Sequence, residues 1–390
     1  MVDLVLVILA PGQGAQTPGF LTPWLDVPGV RERLTEWSEV AGLDLVRYGT
    51  TADADEIRDT AVAQPLLVAA GLVAADALFG HVEDTPLVVS GAAGHSVGEL
   101  TAAALAGVLT PEEALRLVRE RGSAMAKAAS VTETGMTAIL GGAEADVLAA
   151  LDRHGLTPAN MNGAGQIVAG GTTEQLAAFA ADPPPRARLR PLSVAGAFHT
   201  SHMAPAVDHL REAAAGVRPS DPRTRLLSNY DGAVVESGQE FLERLIAQVS
   251  NPVRWDACMA TMSELGVTAV IELPPAGTLV GLAKRALPGV ETLAVKTPAD
   301  LAAARALVAA HHTAVPEPEW RLLVAPMGGT FVRPEAAENL AEGEAAGAIR
   351  VRRDDNPVTV PFAARVIEWL AEDGDPVSPG QPLVRLEVAK

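Results

Sequence analysis

One short stretch does most to limit what this chain can become: GHSVGEL, Gly94 to Leu100, which follows the apolar run PLVVSGAAG and precedes an alanine-rich helical segment. A serine between two glycines, where a strand hands over to a helix, marks a strained and crowded turn. Small residues let the backbone pass there while the Ser96 hydroxyl is held outward. The following helix aims its free N–H groups at the same point. The rest of the chain keeps this rhythm: LVLVILA and VTAVIELP read as further buried strands, and Pro65 to Phe79, Glu99 to Ala106 and Pro111 to Ala128 as helices, the last begun by Thr110 as N-cap. Such alternation predicts an α/β fold. Taken alone, Gly-x-Ser-x-Gly in a chain with 35 glycines also describes an ordinary strand-helix turn.

With 390 residues, 48% of them apolar, the chain can bury more than one core. From about Thr132 to Val194 the elements shorten, with MTAIL, QIVAGG and RLRPLSV as strands, which predicts a small inserted subdomain. AVPEPEW reads as a linker, and the Val- and Arg-richer tail beyond it as a β-rich module of two loosely similar halves. The division expected is 1–131 with 195–312, an insert at 132–194, a linker at 313–319 and a module at 320–390. A formal charge of −18 opposes nucleic acid and anionic membranes as partners. The lone cysteine, Cys258, leaves no disulfide framework or thiolate zinc cluster, reads as core packing, and fits a reducing cytoplasm. The N-terminal apolar run lacks the basic segment and cleavage site of a signal peptide. Pro65 to Phe79 carries Asp76 and falls short of the ~20 residues a bilayer needs. A cytoplasmic protein is expected.

A serine hydroxyl needs a base. His199, in GAFHTSHM, stands on a glycine-containing loop after an apolar strand, with His202 as its rival. His81, His154, His209, His311 and His312 read as surface or core, and His95 as structural. Arg121, in VRERG, offers a planar two-pronged donor suited to a carboxylate. By itself it reads as a solvated helix arginine, like Arg116 and Arg119.

APGQGAQ, GHSVGEL, VRERGSAM, NMNGAGQIVAGG, GAFHTSHM and SNPVRW follow one another in the order and spacing of the malonyl-CoA:acyl carrier protein transacylases. The chain resembles that family over about residues 4 to 312. The resemblance implies a large α/β-hydrolase-like subdomain interrupted by a small ferredoxin-like one, with the active site in the cleft between them. It implies that Ser96 is acylated and that His199 takes its proton, oriented by a backbone carbonyl, that of Gln248, in place of an acid. Backbone N–H groups of Val97 and Gln13 would form the oxyanion hole, and Arg121 would grip the free carboxylate of malonate. Phe198, in Ala-Phe-His, matches the malonyl-selective form of its loop. Asn160, Asn162 and Gln64 match polar residues lining the cleft, and read equally well as loop or capping side chains. ELPPAGTL, Glu272 to Leu279, departs from the Gly-Pro-Gly pattern of many relatives and puts that loop's geometry in question.

The implied reaction is a ping-pong transfer from malonyl-CoA to the phosphopantetheine thiol of acyl carrier protein. Thioester is exchanged for thioester, which calls for no metal and no permanently bound cofactor. Acyl carrier proteins are strongly acidic, so docking calls for a basic surface, for which Arg186, Arg188, Arg190, Lys284 and Arg285 are candidates. The same dyad would also serve a thioesterase that edits carrier proteins. The tail resembles a biotinyl or lipoyl domain, most clearly at GDPVSPGQPLVRLE, which opens a non-catalytic scaffold reading. The place of the modified lysine reads RRDDNPV, Arg352 to Val358, and the only lysine of the tail is Lys390. An alignment that makes Lys390 the modified residue cuts the domain at its midpoint. The complete-domain alignment implies an unmodified barrel-sandwich-like module for packing, oligomerisation or recruitment of a synthase partner. Whether the pathway is fatty acid or polyketide synthesis is left open.

Overall fold

In the computed structural model, which describes residues 4–82, 85, 88–194, 196–311, 320–334 and 339–388, the chain divides into two compact units, Met1–His312 and Thr313–Lys390. The linker read at 313–319 lies outside the described residues, as do Pro86, Leu87, Ala195, His312 and Lys390.

The first unit is built on a six-stranded sheet in the order Glu291–Ala294, Ala269–Glu272, Leu6–Ala10, Gly91–Gly94, Arg225–Leu227, Val234–Val235. All pairings are parallel except the last. Leu6–Ala10 is apolar and buried at every position, the pattern of a strand covered on both faces. Alternate side chains divide between two cores: Leu6 and Ile8 pack with Leu66, Val73, Leu100 and Val118, while Val7 and Leu9 pack with Trp255, Met259 and Leu279.

The helix Pro111–Ala129 opens on a capping box, with Thr110 Oγ1 accepting from Glu113 N–H at 3.1 Å and Glu113 returning the bond at 2.9 Å. The helix read from Pro65 starts earlier, spanning Thr60–Phe79, with the Asp59 carboxylate accepting from Ala61 N–H at 2.8 Å. Proline is favoured in a helix's first turn, so Pro65 reads as a start, yet Asp59 supplies the stronger cap. At 20 residues this helix is long and apolar enough to cross a membrane, correcting the shorter reading, but 78% of that window is buried inside the protein. The strand read from Pro86 is also shorter, Gly91–Gly94, because Val88 and Val89 donate back to Thr85 O in a turn.

Between Thr134 and Pro191 the chain runs strand, helix, strand, strand, helix, strand. Its four strands and the later Val253–Arg254 form a five-stranded sheet in the order Ala187–Pro191, Thr134–Gly141, Gln166–Thr172, Thr157–Met161, Val253–Arg254. Helices Glu144–Arg153 and Thr173–Ala181 supply Val147, Leu151 and Phe179 to a separate core with Ile139 and Ile167.

The second unit holds two four-stranded antiparallel sheets around Phe331, Ile349, Leu383 and Leu386. Trp320–Val324 and Asn339–Leu340 join one sheet, Gly329–Val332 and Ala345–Val351 the other. The next four strands reverse the order: Asp354–Thr359 and Pro376–Val377 enter the second sheet, Ala364–Trp369 and Pro382–Val388 the first. The halves meet at a two-residue hairpin turn, Arg352 and Arg353, with Arg350 and Asp355 paired at 2.7 Å beside it.

Candidate active site

Parallel α/β sheets present ligands at the carboxyl ends of their strands. Here the central strands end side by side, Leu6–Ala10 leading into Gly12–Gln13 and Gly91–Gly94 into Ser96. The turn tolerates nothing larger than glycine at its shoulders. A Cβ at Gly94 would lie 2.0 Å from Gly98 C, and one at Gly98 would lie 2.2 Å from Ala10 O. Ser96 takes φ 54°, a left-handed conformation disfavoured for residues with a Cβ. Asn229, at the end of Arg225–Leu227, holds it there: its Oδ1 accepts from Ser96 N–H at 2.8 Å and its Nδ2 donates to Gly94 O at 2.8 Å.

His199, also left-handed at φ 61°, sets Nε2 2.7 Å from Ser96 Oγ. Its Nδ1 lies 2.8 Å from the carbonyl oxygen of Gln248, which accepts and so leaves the Nε2 lone pair to the serine hydroxyl. The ring is buried, and burial, then the positive charge of Arg121, pulls its pKa down to about 3. The imidazole is therefore neutral at physiological pH.

Arg121 is 1% exposed in the helix Pro111–Ala129, whose apolar stripe carries it inward. Nη1 donates to Gln64 Oε1 at 2.7 Å, and Nη2 to Gln248 Oε1 at 2.7 Å and Ser96 Oγ at 3.3 Å. Its Nε–H has no partner among the described residues. Burial lowers this guanidinium to about 10 against the opposing pull of Glu99. Glu99, equally buried, is pushed up to about 8 by burial, while the Asn229 N–H and the Arg121 charge restrain it.

A cleft of about 660 Å³ opens beside the elbow, lined by Gly12, Gln13, Arg58, His95, Asn160, Asn162, Leu192 and Leu279 among others. Ser96, next to His95 in the chain, is half-buried. Among the described residues no hydrogen bond occupies the backbone N–H of Gln13 or Val97, and the Gln13 side chain is tied to Arg58 O at 3.2 Å. Asn162 Oδ1 meets His95 Nε2 at 2.9 Å, and His95 stands edge-on to Trp255. Phe198 is buried in the main core. ELPPAGTL is held by the Glu272 carboxylate, which accepts from the N–H groups of Gly277, Leu279 and Val280 at 2.8 to 3.0 Å.

The structure thus gathers Ser96, His199, Arg121, Gln64 and Gln248 into one bonded group, with Asn160, Asn162 and Gln13 along the cleft. Arg186, Arg188, Arg190, Lys284 and Arg285 are exposed, and none lines the cleft; Pro191 and Leu282, close by in sequence, do. His202 lies in the turn Ser201–Met203, His209 pairs with Glu120, and His154 packs on Phe179. Cys258 is buried, its thiol pushed far up by burial. Asn229 and Glu99 escaped the sequence reading. The usable signal was an acid inside the otherwise apolar helix Gly98–Leu105, since lone buried charges are rare.

The model of the acyl transferase domain matches residues 9–308. The malonyl CoA-acyl carrier protein transacylase of Mycobacterium tuberculosis is 52% identical over 299 residues, covering 76% of this chain and 98% of that protein. The crystal structure of MCAT from Mycobacterium tuberculosis superposes with a TM-score of 0.75 at 51% identity, over 77% of this chain and 99% of that one. A complex of a type II PKS acyl-carrier protein with its malonyl-transacylase gives a TM-score of 0.71 at 30% identity, over 77% and 99%. With the domain matched over most of its length and a relative spanned almost end to end, the chain belongs to the acyl transferase family, among its malonyl CoA-acyl carrier protein transacylases.

Proposed function

We propose that this protein transfers a malonyl group from malonyl-CoA to the phosphopantetheine thiol of acyl carrier protein, working in the cytoplasm. The observation that carries the reading is a fully buried arginine within 3.3 Å of a serine that is itself 2.7 Å from a neutral histidine. A nucleophile beside a fixed cation suits an acyl group that ends in a carboxylate.

Ser96 Oγ gives its proton to His199 Nε2 as it attacks the thioester carbonyl. The N–H groups of Val97 and Gln13 receive the oxyanion, and the imidazolium returns the proton to the departing CoA sulfur. The carrier thiol then repeats the sequence in reverse. The malonyl carboxylate binds Arg121, whose Nη2 already lies 3.3 Å from Ser96 Oγ. That binding offsets the charge that helps hold His199 down, so the substrate itself strengthens the base. Gln248 O keeps the imidazole in the working tautomer; Gln64 holds Arg121, while Asn160, Asn162 and Phe198 shape the pocket.

The strand-helix-strand-strand-helix-strand order of 132–194 supports a ferredoxin-like insert in an α/β-hydrolase-like subdomain made of 1–131 and 195–312. The mirrored strand order of 320–390 supports a barrel-sandwich-like module, with an arginine pair where carriers present lysine, serving recruitment or packing. Arg186, Arg188, Arg190, Lys284 and Arg285 stay proposed as the docking surface for the acidic carrier.

The test is intact mass after brief exposure to malonyl-CoA, followed by phosphopantetheinylated acyl carrier protein. A malonyl adduct that moves to the carrier is expected, absent in Ser96→Ala and reduced about a hundredfold in Arg121→Ala, the scale of losing a charge-assisted pair. An adduct lost to water without loading the carrier would overturn transfer in favour of hydrolysis.

A further inference from the structure

Glu99 is buried at the heart of the site, and no step of the transfer uses it. Its Oε1 accepts from the backbone N–H of Asn229 at 2.5 Å, and its Oε2 from the side-chain Nε2 of Gln248 at 2.5 Å. The Gln248 amide is therefore held between a carboxyl group and a guanidinium, its oxygen 2.7 Å from Arg121 Nη2. Turned over, the amide would set NH₂ against guanidinium, a mispaired contact in a dry site.

The carboxyl group of Glu99 also stands one side chain back from the arginine. Both side chains that accept from Arg121 at 2.7 Å, Gln64 and Gln248, are neutral amides. They fix the guanidinium without neutralising it, and leave Nη2 facing Ser96 Oγ at 3.3 Å. Asn229, bonded through its backbone to the same carboxyl group, holds Ser96 N–H and Gly94 O with its side chain. One acid thus secures both the cation and the elbow.

We propose that Glu99 is a positioning residue for carboxylate selection, acting through Gln248: as an acceptor it locks the amide so that its oxygen faces Arg121 and the guanidinium stays open to a dicarboxylic acyl group. The inference rests on the reading of Arg121 as the seat of the malonyl carboxylate. Glu99→Gln keeps the shape but brings an NH₂ group to compete with that of Gln248.

The experiment measures the rate of Ser96 acylation by malonyl-CoA and by p-nitrophenyl acetate, a neutral acyl donor, in wild type, Glu99→Gln, Gln248→Met and the double variant, with melting curves alongside. The expected result is a loss of about ten- to a hundredfold with malonyl-CoA for each single variant. Acetylation should fall far less than malonylation in each variant, and Glu99→Gln should add no further loss in the Gln248→Met background. Equal losses with both donors, additive losses, or malonylation at the wild-type rate would overturn the role of Glu99 alone. If Glu99→Gln fails to fold, Gln248→Met decides, because equal loss with the two donors in that variant overturns the proposal. A wild-type protein that takes no malonyl group would overturn the functional reading and this inference together.

Discussion

Among the described residues, five with a side chain take the left-handed region, and the surroundings of two of them, Ser96 at φ 54° and Arg352 at φ 60°, could hardly differ more. Ser96 is gripped by Asn229, crowded by Gly94 and Gly98, and bonded to His199 and Arg121. Arg352 caps an exposed two-residue hairpin that needs only some turn there. Strain of the same backbone kind becomes machinery where the surroundings over-determine it, and stays a small local cost where they do not.

The largest effect that would sharpen this contrast is Gly94→Ala. With the new Cβ 2.0 Å from backbone, we expect a destabilisation of about 3 kcal/mol or more, measured by denaturant unfolding of the full chain. A loss below about 1 kcal/mol would mean the elbow has slack and the contrast is overdrawn.

A middle-sized effect comes from pH. His199 drops to about 3 in the folded protein, so between there and its ordinary value the unfolded chain binds the extra proton. Its contribution to stability is thus complete above about pH 6.5 and lost as pH falls toward 3. Glu99 runs the other way: raised to about 8, it costs stability as pH climbs from the carboxylate range. The stability of wild type minus that of His199→Gln should therefore fall by up to about 1.4 kcal/mol per unit below pH 6.5. A flat difference would show the imidazole to be solvated, as an exposed hairpin residue is.

The smallest effect is at the other turn. A positive φ at only the first of two hairpin residues favours glycine, so Arg352→Gly should gain up to about 1 kcal/mol, read as a higher melting point of the second unit. Destabilisation instead would reveal a contact made by that arginine.

What was legible in the sequence was what local pattern carries. The run LVILA, the serine between glycines and the Thr110 cap each declare themselves within a few residues. Thr60 to Gln64 did not, because Pro65 is a plausible helix start and Asp59 reads as a cap only once its bond to Ala61 N–H is seen. Asn229 and Glu99 were illegible for another reason. Asn229 meets Ser96 133 residues away and Glu99 meets Gln248 149 residues away, so their partners come only with the fold. The tail's mirrored strand order shows in sequence only as a loose echo, since its halves share shape more than side chains.

Gln248 divides its labour between main chain and side chain: the carbonyl orients the base, and the amide braces the arginine. No substitution at that position can delete a main-chain oxygen. Acyl preference at this locus can therefore drift, or be engineered, while the acceptor that orients the base persists, a freedom that a site with an aspartate behind its histidine does not have.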